Sequence, residues 1–334
     1  TVCGLASRWR DNEHQCSTSR AGTVFVSGGD LHIVAGNLGG SSYSSARLRS
    51  INLQEFTYGR MEARIQLPSG QGIWPAFWML PTASPYGGWA ASGELDVVES
   101  VNTATTIYGT AHFGDAWPGQ VSNGNTYAPG TNFGNAYHVY AMEWEPDAIR
   151  WYVDGVLFHT LTSAQWFSTN GGGNTRAPFD VPFHMLLNVA VGGDFPGPPN
   201  GGVGFPMEML VDYVRVYQVP PPVQEPFTGT PLPIPGLVEA EDFDTGGEGV
   251  AYDDFEATNL GGAYRAGEGV DLEACSEGGF NIGWIREGEW VEYTVDVQTA
   301  GDYDVSARVA SQTTGGIFHL EFSGGSLPAS TGTL

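Results

Sequence analysis

Residues 93–100, with the sequence GELDVVES, place three carboxylates inside an otherwise apolar and β-branched run. Alternate side chains of a β-strand point to opposite faces, so Glu94 and Asp96 share one face while Glu99 falls out of phase. One extra residue between Asp96 and Glu99, a β-bulge, would turn Glu99 towards the other two. Three acids on one face repel each other, and paired carboxylates for acid/base and nucleophilic chemistry are the best reason for such an arrangement.

The composition predicts an all-β protein. Of 334 residues, 48 are glycine and 12% are aromatic, and only 15% are charged. Short runs of Val, Ile, Tyr and Phe are broken by Gly, Asn and Pro, as in sandwiches and barrels. No long segment has helical periodicity, and no apolar stretch is long enough to cross a bilayer. We therefore expect no membrane partner.

The charge restricts the class of partner. The formal net charge is −24, and all 13 basic residues are arginine. Phosphate binding relies on clustered basic residues, so we expect no nucleic-acid partner. The average field repels an anionic polysaccharide, although a local arginine pocket can still accept one, whereas a neutral glycan meets no such penalty. The acidity also suits solubility or a salty habitat.

The three cysteines favour an extracellular setting. Cys3 and Cys16 lie close enough in sequence to close a small loop, which is typical of secreted proteins. Cys275 is left over, and three free thiols are the alternative. No signal peptide is visible, and the first residues have the character of the interior of a longer sequence.

The chain is predicted to contain two domains. Residues 1–217 end in a clear strand, and the proline-rich residues 218–236 are predicted to form an extended linker. Residues 237–334 contain three alternating apolar and polar runs, which predict a second, smaller β-sandwich. These runs are 290–295, 303–309 and 317–322.

A run of aromatic residues precedes the acidic strand. Period-two alternation puts Trp74, Ala76 and Trp78 on one face, and Phe77 and Met79 on the core face. Flat aromatic faces beside a carboxylate strand suit stacking against sugar rings. The alternative is that the aromatic side chains are core residues, but their place just before the acids favours a glycan cleft.

The segment 94–99, ELDVVE, is similar to the bulged E-x-D-x-x-E signature of glycoside hydrolase family 16. Further segments resemble the laminarinase branch of that family: residues 58–64, 74–81, 149–155 and 188–193. The resemblance covers nearly all of residues 1–217. It implies a concanavalin-like jelly-roll β-sandwich and endo-acting, retaining hydrolysis of β-1,3-linked glucan with no cofactor for catalysis. The lichenase-like and xyloglucan branches have an unbulged E-x-D-x-E spacing, so the extra residue argues against them.

In this resemblance Glu94 is the nucleophile, Glu99 is the general acid/base, and Asp96 hydrogen-bonds to the nucleophile. A retaining mechanism needs the two carboxyl groups about 5–5.5 Å apart, one ionised and one protonated. Neighbouring negative charge raises the pKa of the acid that can least well stay ionised, which makes an acid and a nucleophile out of identical side chains. The alternative is an acidic surface strand without catalytic function.

The resemblance also implies substrate-binding and metal-binding residues. The predicted substrate-binding residues of this domain are Trp74, Trp78, Trp89, Arg47, His112 and Asn188. His112 would border the acids or be a buried structural histidine, and Arg47 would bind sugar hydroxyls or pair with an acid. Phe195 stands where the family commonly has Trp. The Gly29 carbonyl and the Asp212 carboxylate match a structural Ca²⁺ site, for which a further ligand comes from a first strand that this chain lacks.

Residues 238–244 and 281–293 resemble carbohydrate-binding module family 6. Glu239 and Glu241 match that family's Ca²⁺ ligands, and Trp284 matches an aromatic residue of its sugar site, whereas Trp290 is expected in the core. Family members continue for some tens of residues, so we expect a C-terminally truncated module and a fragment of a longer gene product.

The leading hypothesis is a secreted, monomeric endo-β-1,3-glucanase whose second module holds it on insoluble polymer. One alternative is a related endo-hydrolase of marine galactans such as agar, porphyran or carrageenan, whose clefts usually need basic residues for sulfate. The other is a non-catalytic β-glucan-binding protein on the same fold. Such proteins characteristically lose a catalytic acid, whereas this chain keeps Glu94, Asp96 and Glu99.

Overall fold

The computed structural model describes residues 12–202, 204–220, 222–310 and 317–323, together with the backbone of residues 329–330. The chain divides into two compact units, Thr1–Val219 and Pro220–Leu334. Each unit has an apolar core of its own.

Two β-sheets make up the first unit, and all of their strand pairs are antiparallel except that of β1 with β4. The first sheet contains, in spatial order, β1 (Gln15–Ser17), β4 (Ser42–Ser45), β3 (Asp30–Gly39), β16 (Met207–Tyr217), β7 (Gly59–Gln66), β12 (His138–Glu145), β13 (Ala148–Val153) and β14 (Val156–Thr162), with β2 (Val24–Ser27) paired to β3. The second contains β11 (Gln120–Tyr127), β10 (Ile107–Gly114), β9 (Glu94–Glu99), β8 (Ile73–Pro81), β15 (Phe183–Val191) and β5 (Arg47–Arg49), with β6 (Glu55–Phe56) paired to β15.

One continuous core fills the space between these two sheets. Its largest fully buried side chains include Trp144, Trp151, Tyr140, Phe77, Phe113, Phe133, Phe179 and Phe183. The alternation predicted for residues 74–80 is confirmed, because Phe77 and Met79 belong to this core while Ala76 and Trp78 lie in a separate small cluster on the other side of the sheet. We call that other side of the second sheet, which faces away from the core, the open face.

A β-bulge interrupts β9, as the sequence predicts. Between Asp96 and Glu99 this strand has two residues, where the neighbouring strands β8 and β10 each have one. Both residues between them, Val97 and Val98, are buried in the core. The bulge therefore absorbs one residue and returns Glu99 to the open face, on which Glu94 and Asp96 lie.

The core side of the bulge is held by a residue of the opposite sheet. Trp151 in β13 donates its indole N–H to the backbone carbonyl of Asp96 at 2.8 Å. The indole fits there because β10 has Gly109 at this point: a Cβ on Gly109 would lie 2.6 Å from the Trp151 ring and 2.9 Å from the ring of Phe158. The position of the acids thus depends on a glycine and a tryptophan that are remote from them in sequence.

The second unit consists of short strand pairs around a small core. Its strands are β17 (Leu232–Ile234), β18 (Tyr252–Asp253), β19 (Leu272–Ala274), β20 (Phe280–Ile282), β21 (Trp290–Val291), β22 (Val295–Val297), β23 (Glu321–Phe322) and β24 (Ala329–Ser330), with a 3₁₀ turn at Ala240–Asp242. The pairs are β17 with β22, β18 with β21, β19 with β20, and β23 with β24. The buried apolar residues are Phe243, Ala251, Tyr252, Val270 and Leu272.

The linker predicted for residues 218–236 is wrong in part. Leu232–Ile234 pairs in parallel with Val295–Val297 and belongs to the second unit. In a parallel pair the hydrogen bonds come from alternate residues, so Pro233 can lie between two bonded residues although it has no N–H. A proline excludes a segment from the middle of a ladder but not from an edge.

The strand predicted at residues 303–309 is also wrong. The structure has no strand there, and Val305 and Val309 are 52% and 71% exposed. Period-two alternation requires a neighbouring strand and a core to bury one face, and no described strand covers this segment.

The all-β prediction is confirmed for the described residues, in which strands are joined by turns and the one 3₁₀ turn. No helix in this part of the chain has the length and apolar character needed to traverse a lipid bilayer.

Gly109→Ala is expected to lower the free energy of unfolding of the first unit by about 1–3 kcal/mol, since the added methyl group overpacks the Trp151 contact. Gly22→Ala is the control: nothing lies within 4 Å of a Cβ there, and we expect a change within about 0.5 kcal/mol. Denaturant unfolding of both variants measures the difference. Equal stability of the two would contradict the role given to Gly109.

Candidate active site

Three neighbouring strands bring a cluster of polar and aromatic side chains to the open face. β9 supplies Glu94, Asp96 and Glu99, and β8 supplies Trp74. β10 supplies His112, which is the direct cross-strand partner of Glu94. Residues that are far apart in sequence thus meet because these strands are adjacent in the sheet.

Each of the two glutamates accepts a hydrogen bond from a tryptophan. Trp74 donates its indole N–H to Glu99 Oε1 at 2.8 Å, and Trp89, in the segment between β8 and β9, donates to Glu94 Oε2 at 3.0 Å. A hydrogen bond to an ionised carboxylate is stronger than one between neutral groups, and it fixes the orientation of the acceptor. The two indole N–H groups therefore orient both carboxyl groups.

His112 lies beside the other two acidic side chains. Its Nε2 is 3.1 Å from Asp96 Oδ2 and 3.7 Å from Glu94 Oε1. On the other side of the ring, Nδ1 is 2.7 Å from the hydroxyl of Ser122, its cross-strand partner in β11. The ring is thus fixed on both sides, and its Nε2 points at the acids.

The surroundings of this cluster raise the pKa values of two of its carboxyl groups. Burial raises the pKa of the Asp96 carboxyl to about 8. Burial, followed by the negative charge of Asp96, raises the pKa of Glu94 well above its ordinary value, while His112 and the Trp89 hydrogen bond act against that rise. Carboxyl groups with raised pKa values keep a proton to a higher pH than exposed carboxyl groups do.

Aromatic side chains flank the cluster on both sides. Trp89 lies near Trp117, with ring centres 6.4 Å apart, and Trp117 is 59% exposed. At the other side Phe195 meets Trp74 and Tyr108 edge to face, at 5.5 and 5.0 Å. Exposed aromatic faces on either side of paired carboxyl groups form a site suited to a sugar chain.

Three of the predicted substrate-binding residues have buried side chains that contact other protein side chains. Trp78 and Asn188 are 9% and 4% exposed, and the Trp78 indole donates to the Asn188 side chain at 2.7 Å. Arg47 lies over the Trp78 ring and forms a buried ion pair with Glu13 at 2.9 Å. Side chains that are buried and bonded to one another offer little surface to a sugar, so direct sugar contact by these residues is not supported. Of the two alternatives for Arg47, pairing with an acid is the one observed.

One residue of the first predicted calcium site has a cationic partner in the structure. Gly29 has a φ of +100°, in the turn between β2 and β3, and the Arg64 guanidinium donates to the Asp212 carboxylate at 2.5 Å. A guanidinium at the carboxylate repels a divalent cation. No step of the chemistry below involves this site.

The second calcium pair is also incomplete. Glu239 is exposed, and Glu241 is buried and accepts the backbone N–H of Phe280 at 2.9 Å. Among the described residues, none of the predicted Ca²⁺ ligands belongs to a group of three or more His, Cys, Asp or Glu side chains whose ligand atoms lie within 4.8 Å of one another. Both calcium sites stay predictions.

The two tryptophans singled out in the second unit are both accessible. Trp284 is 50% exposed, which is compatible with its predicted sugar contact. Trp290 is 38% exposed, so its predicted core position is wrong. It begins the two-residue strand β21, whose partner Tyr252–Asp253 is equally short, and such a pair covers only one side of a large indole.

Sequence reasoning missed Ser122, Trp117 and Tyr108. The signal for Ser122 was available, because a hairpin turning at Trp117 places Ser122 directly opposite His112. Tyr108 shares the face of His112 by period-two alternation along β10. Trp117 lies in the loop between β10 and β11, whose direction follows from no periodic pattern.

Comparison with known families gives two matches. Residues 11–194 match the model of Glycosyl hydrolases family 16, and residues 262–333 match that of Carbohydrate binding module (family 6). The first match covers every strand of the second sheet, so Glu94, Asp96 and Glu99 all lie within it.

Among individual proteins, the chain is 44% identical over 224 residues to Glucan endo-1,3-beta-glucosidase A1 of Niallia circulans, covering 63% of this chain and 33% of that protein. It is 39% identical over 229 residues to Beta-glucanase of Rhodothermus marinus, covering 63% of this chain and 76% of that protein. The solved catalytic domain of an endo-1,3-beta-glucanase (laminarinase) from Thermotoga petrophila superposes with a TM-score of 0.56 at 36% identity, covering 63% of this chain and 84% of that one. The chain therefore spans a third of the length of the first relative.

The raised pKa values make stability depend on pH. A carboxyl group whose pKa is higher in the folded than in the unfolded state binds more protons when folded, so stability falls as the pH rises from the ordinary carboxyl pKa towards about 8. Asp96→Asn is expected to flatten this fall and to stabilise the protein at pH 8. The measurement is the free energy of unfolding between pH 4 and 8.

The control is Asp115→Asn, which makes the same change of charge at an exposed residue and should leave the slope as in the wild type. An equal slope in the wild type and in Asp96→Asn would contradict the electrostatic description.

Proposed function

The chain belongs to glycosyl hydrolases family 16, and from this membership we propose that it is a secreted endo-hydrolase that cleaves β-1,3-linked glucan with retention of configuration. The observation that carries the proposal is the bulge in β9, which puts Glu99 on the same face as Glu94. The relatives named above as glucan endo-1,3-beta-glucosidase and laminarinase support the choice of substrate.

In the proposed mechanism Glu94 attacks the anomeric carbon of the bound sugar while Glu99 gives its proton to the departing glycosidic oxygen. The bond to the leaving sugar breaks as the bond to Glu94 forms, which leaves a covalent glycosyl-enzyme. Glu99, now ionised, removes a proton from a water molecule. The oxygen of that water attacks the same carbon, and the bond from this carbon to Glu94 breaks. Two inversions give net retention.

The surrounding residues suit this division of roles. Glu94 must be ionised to attack, whereas Asp96, whose pKa is raised to about 8, can hold a proton at neutral pH. A protonated Asp96 can donate to Glu94 and stabilise its charge. The Trp89 indole does the same from the other side at 3.0 Å.

Two observations favour a neutral glucan over a sulfated galactan and a hydrolase over a binding protein. Arg47 is committed to Glu13 within the protein, so this arginine offers no charge to a sulfate group. All three acids are present and brought together, whereas a binding protein has no need for carboxyl groups with raised pKa values.

The setting and the second unit complete the proposal. Cys16 is disulfide-bonded, and its predicted partner Cys3 lies outside the described residues. Cys275 is free. A disulfide suits an oxidising, extracellular environment. The second unit, with the exposed Trp284, would bind the same polymer. This binding would raise the effective concentration of the polymer at the active site.

Glu94→Gln and Glu99→Gln should each lower the rate of reducing-sugar release from laminarin by about 10³-fold, since each removes an essential acid or nucleophile. Glu145→Gln is the matched control, because this glutamate is exposed and lies on the first sheet. Agarose, carrageenan and mixed-linkage glucan are assayed in parallel. Faster hydrolysis of a galactan would replace the glucan assignment, and binding of laminarin without hydrolysis by the wild type would indicate a binding protein.

Trp89→Phe keeps most of the aromatic surface but removes the N–H that lowers the pKa of Glu94. The pKa of Glu94 should rise further, and the acidic limb of the profile of kcat/KM against pH should move to higher pH because Glu94 must be ionised. Trp117→Phe leaves that hydrogen bond in place and is the control. The same acidic limb in both variants would argue against this function of Trp89.

A further inference from the structure

Three side chains of the active site also form a set of metal-ligand atoms. Glu94, Asp96 and His112 each offer one such atom, and the three atoms lie within 4.8 Å of one another. His112 Nε2 is 3.1 Å from Asp96 Oδ2 and 3.7 Å from Glu94 Oε1. Zinc bonds of about 2.0–2.1 Å in a tetrahedron separate the ligand atoms by about 3.3–3.4 Å, which lies between these two distances.

The three ligands are held in place by groups that leave the metal-facing atoms exposed to the centre of the cluster. Ser122 engages His112 Nδ1 at 2.7 Å and leaves Nε2 towards the acids. Trp89 engages Glu94 Oε2 at 3.0 Å and leaves Oε1 towards His112. A hydrogen bond to the second ring nitrogen is the usual way in which proteins orient a metal-binding histidine.

Asp96 provides an independent observation. Its side chain is 4% exposed, yet Oδ2 is buried without a well-aligned hydrogen bond, although His112 Nε2 is only 3.1 Å away. A buried polar atom without a hydrogen-bond partner is uncommon in native proteins, and an ion is one explanation.

We propose that Glu94, Asp96 and His112 bind a borderline transition-metal dication, with Zn²⁺ as the reference ion, and that the bound ion blocks the active site. One nitrogen and two oxygen ligands suit Zn²⁺ or Cu²⁺, whereas Ca²⁺ and Mg²⁺ prefer oxygen ligands alone. Three protein ligands leave a fourth position for water. The blocking effect depends on the proposed function, but the binding does not.

The second unit contains the matched control. Asp254, Glu256 and Asp271 form the other such group among the described residues, and they offer only carboxylate oxygens. Asp254→Asn changes this group and leaves the active site as it is. Binding of Zn²⁺ to a cluster of carboxylates alone is thereby separated from binding at His112.

The test is calorimetric titration of the chelator-treated chain, with both units present, with Zn²⁺ in a background of excess Ca²⁺. We expect one site whose affinity falls at least about tenfold in His112→Ala and about tenfold in Ser122→Ala, the latter through loss of ring orientation. Asp254→Asn should bind as the wild type does. Wild-type affinity in both His112→Ala and Ser122→Ala, or loss of the site in Asp254→Asn, would overturn the proposal.

Thermal unfolding of each variant shows whether it is folded, and Ser122→Ala decides the result if His112→Ala is not. Laminarin hydrolysis by the wild type should be lost on saturation with Zn²⁺ and recovered on chelation; undiminished hydrolysis at saturation overturns the blocking effect. If the wild type hydrolyses no polysaccharide, the proposed function fails, whereas the titration still decides the metal site.

Discussion

The contact between the Trp151 indole and the Asp96 carbonyl is the constraint on which the site depends. A bulge leaves its backbone groups out of step with the neighbouring strands, and a buried carbonyl without a donor costs free energy. The opposite sheet provides the donor at 2.8 Å, and Gly109 leaves the space for it. The direction of the Glu99 side chain is therefore decided on the far side of the sheet, in the apolar core.

The open face carries an arrangement that opposes stability. Glu94 and Asp96 are buried next to each other, and their pKa values are raised for that reason. Neutral indole donors hold Glu94 and Glu99 in position where a lysine or arginine would have lowered the pKa of its carboxyl partner. Acid chemistry at neutral pH requires a carboxyl group that still holds its proton, and a neutral indole donor orients a carboxyl group without adding a positive charge beside it.

The sequence was sufficient for the β class, the alternation in β8 and the bulge in β9, because each depends on a local pattern with a period of two. It was not sufficient where a side chain has two possible partners. Arg47, Trp78 and Asn188 lie on the predicted face, but they contact one another, and Arg47 pairs with Glu13, which precedes β1 of the other sheet. Alternation assigns a face, whereas exposure depends on what else packs there.

The second unit shows the same limit more strongly. Pro233 lies in a strand because its pair is parallel and at an edge, which no local rule could predict. The alternating run at residues 303–309 is exposed, because a strand needs a partner as well as a pattern. The partner of Asp212 was not predictable either: Arg64 pairs with its carboxylate, and no local pattern indicates that contact.

The indole hydrogen bonds of Trp74 and Trp89 have a spectroscopic consequence. The near-ultraviolet absorption and fluorescence of an indole respond to the charge of the group that accepts its N–H. Each of the two glutamates is therefore coupled to a natural chromophore within 3.0 Å. Proton transfer at either carboxyl group would be visible as a change of light emission, without a substrate and without a label.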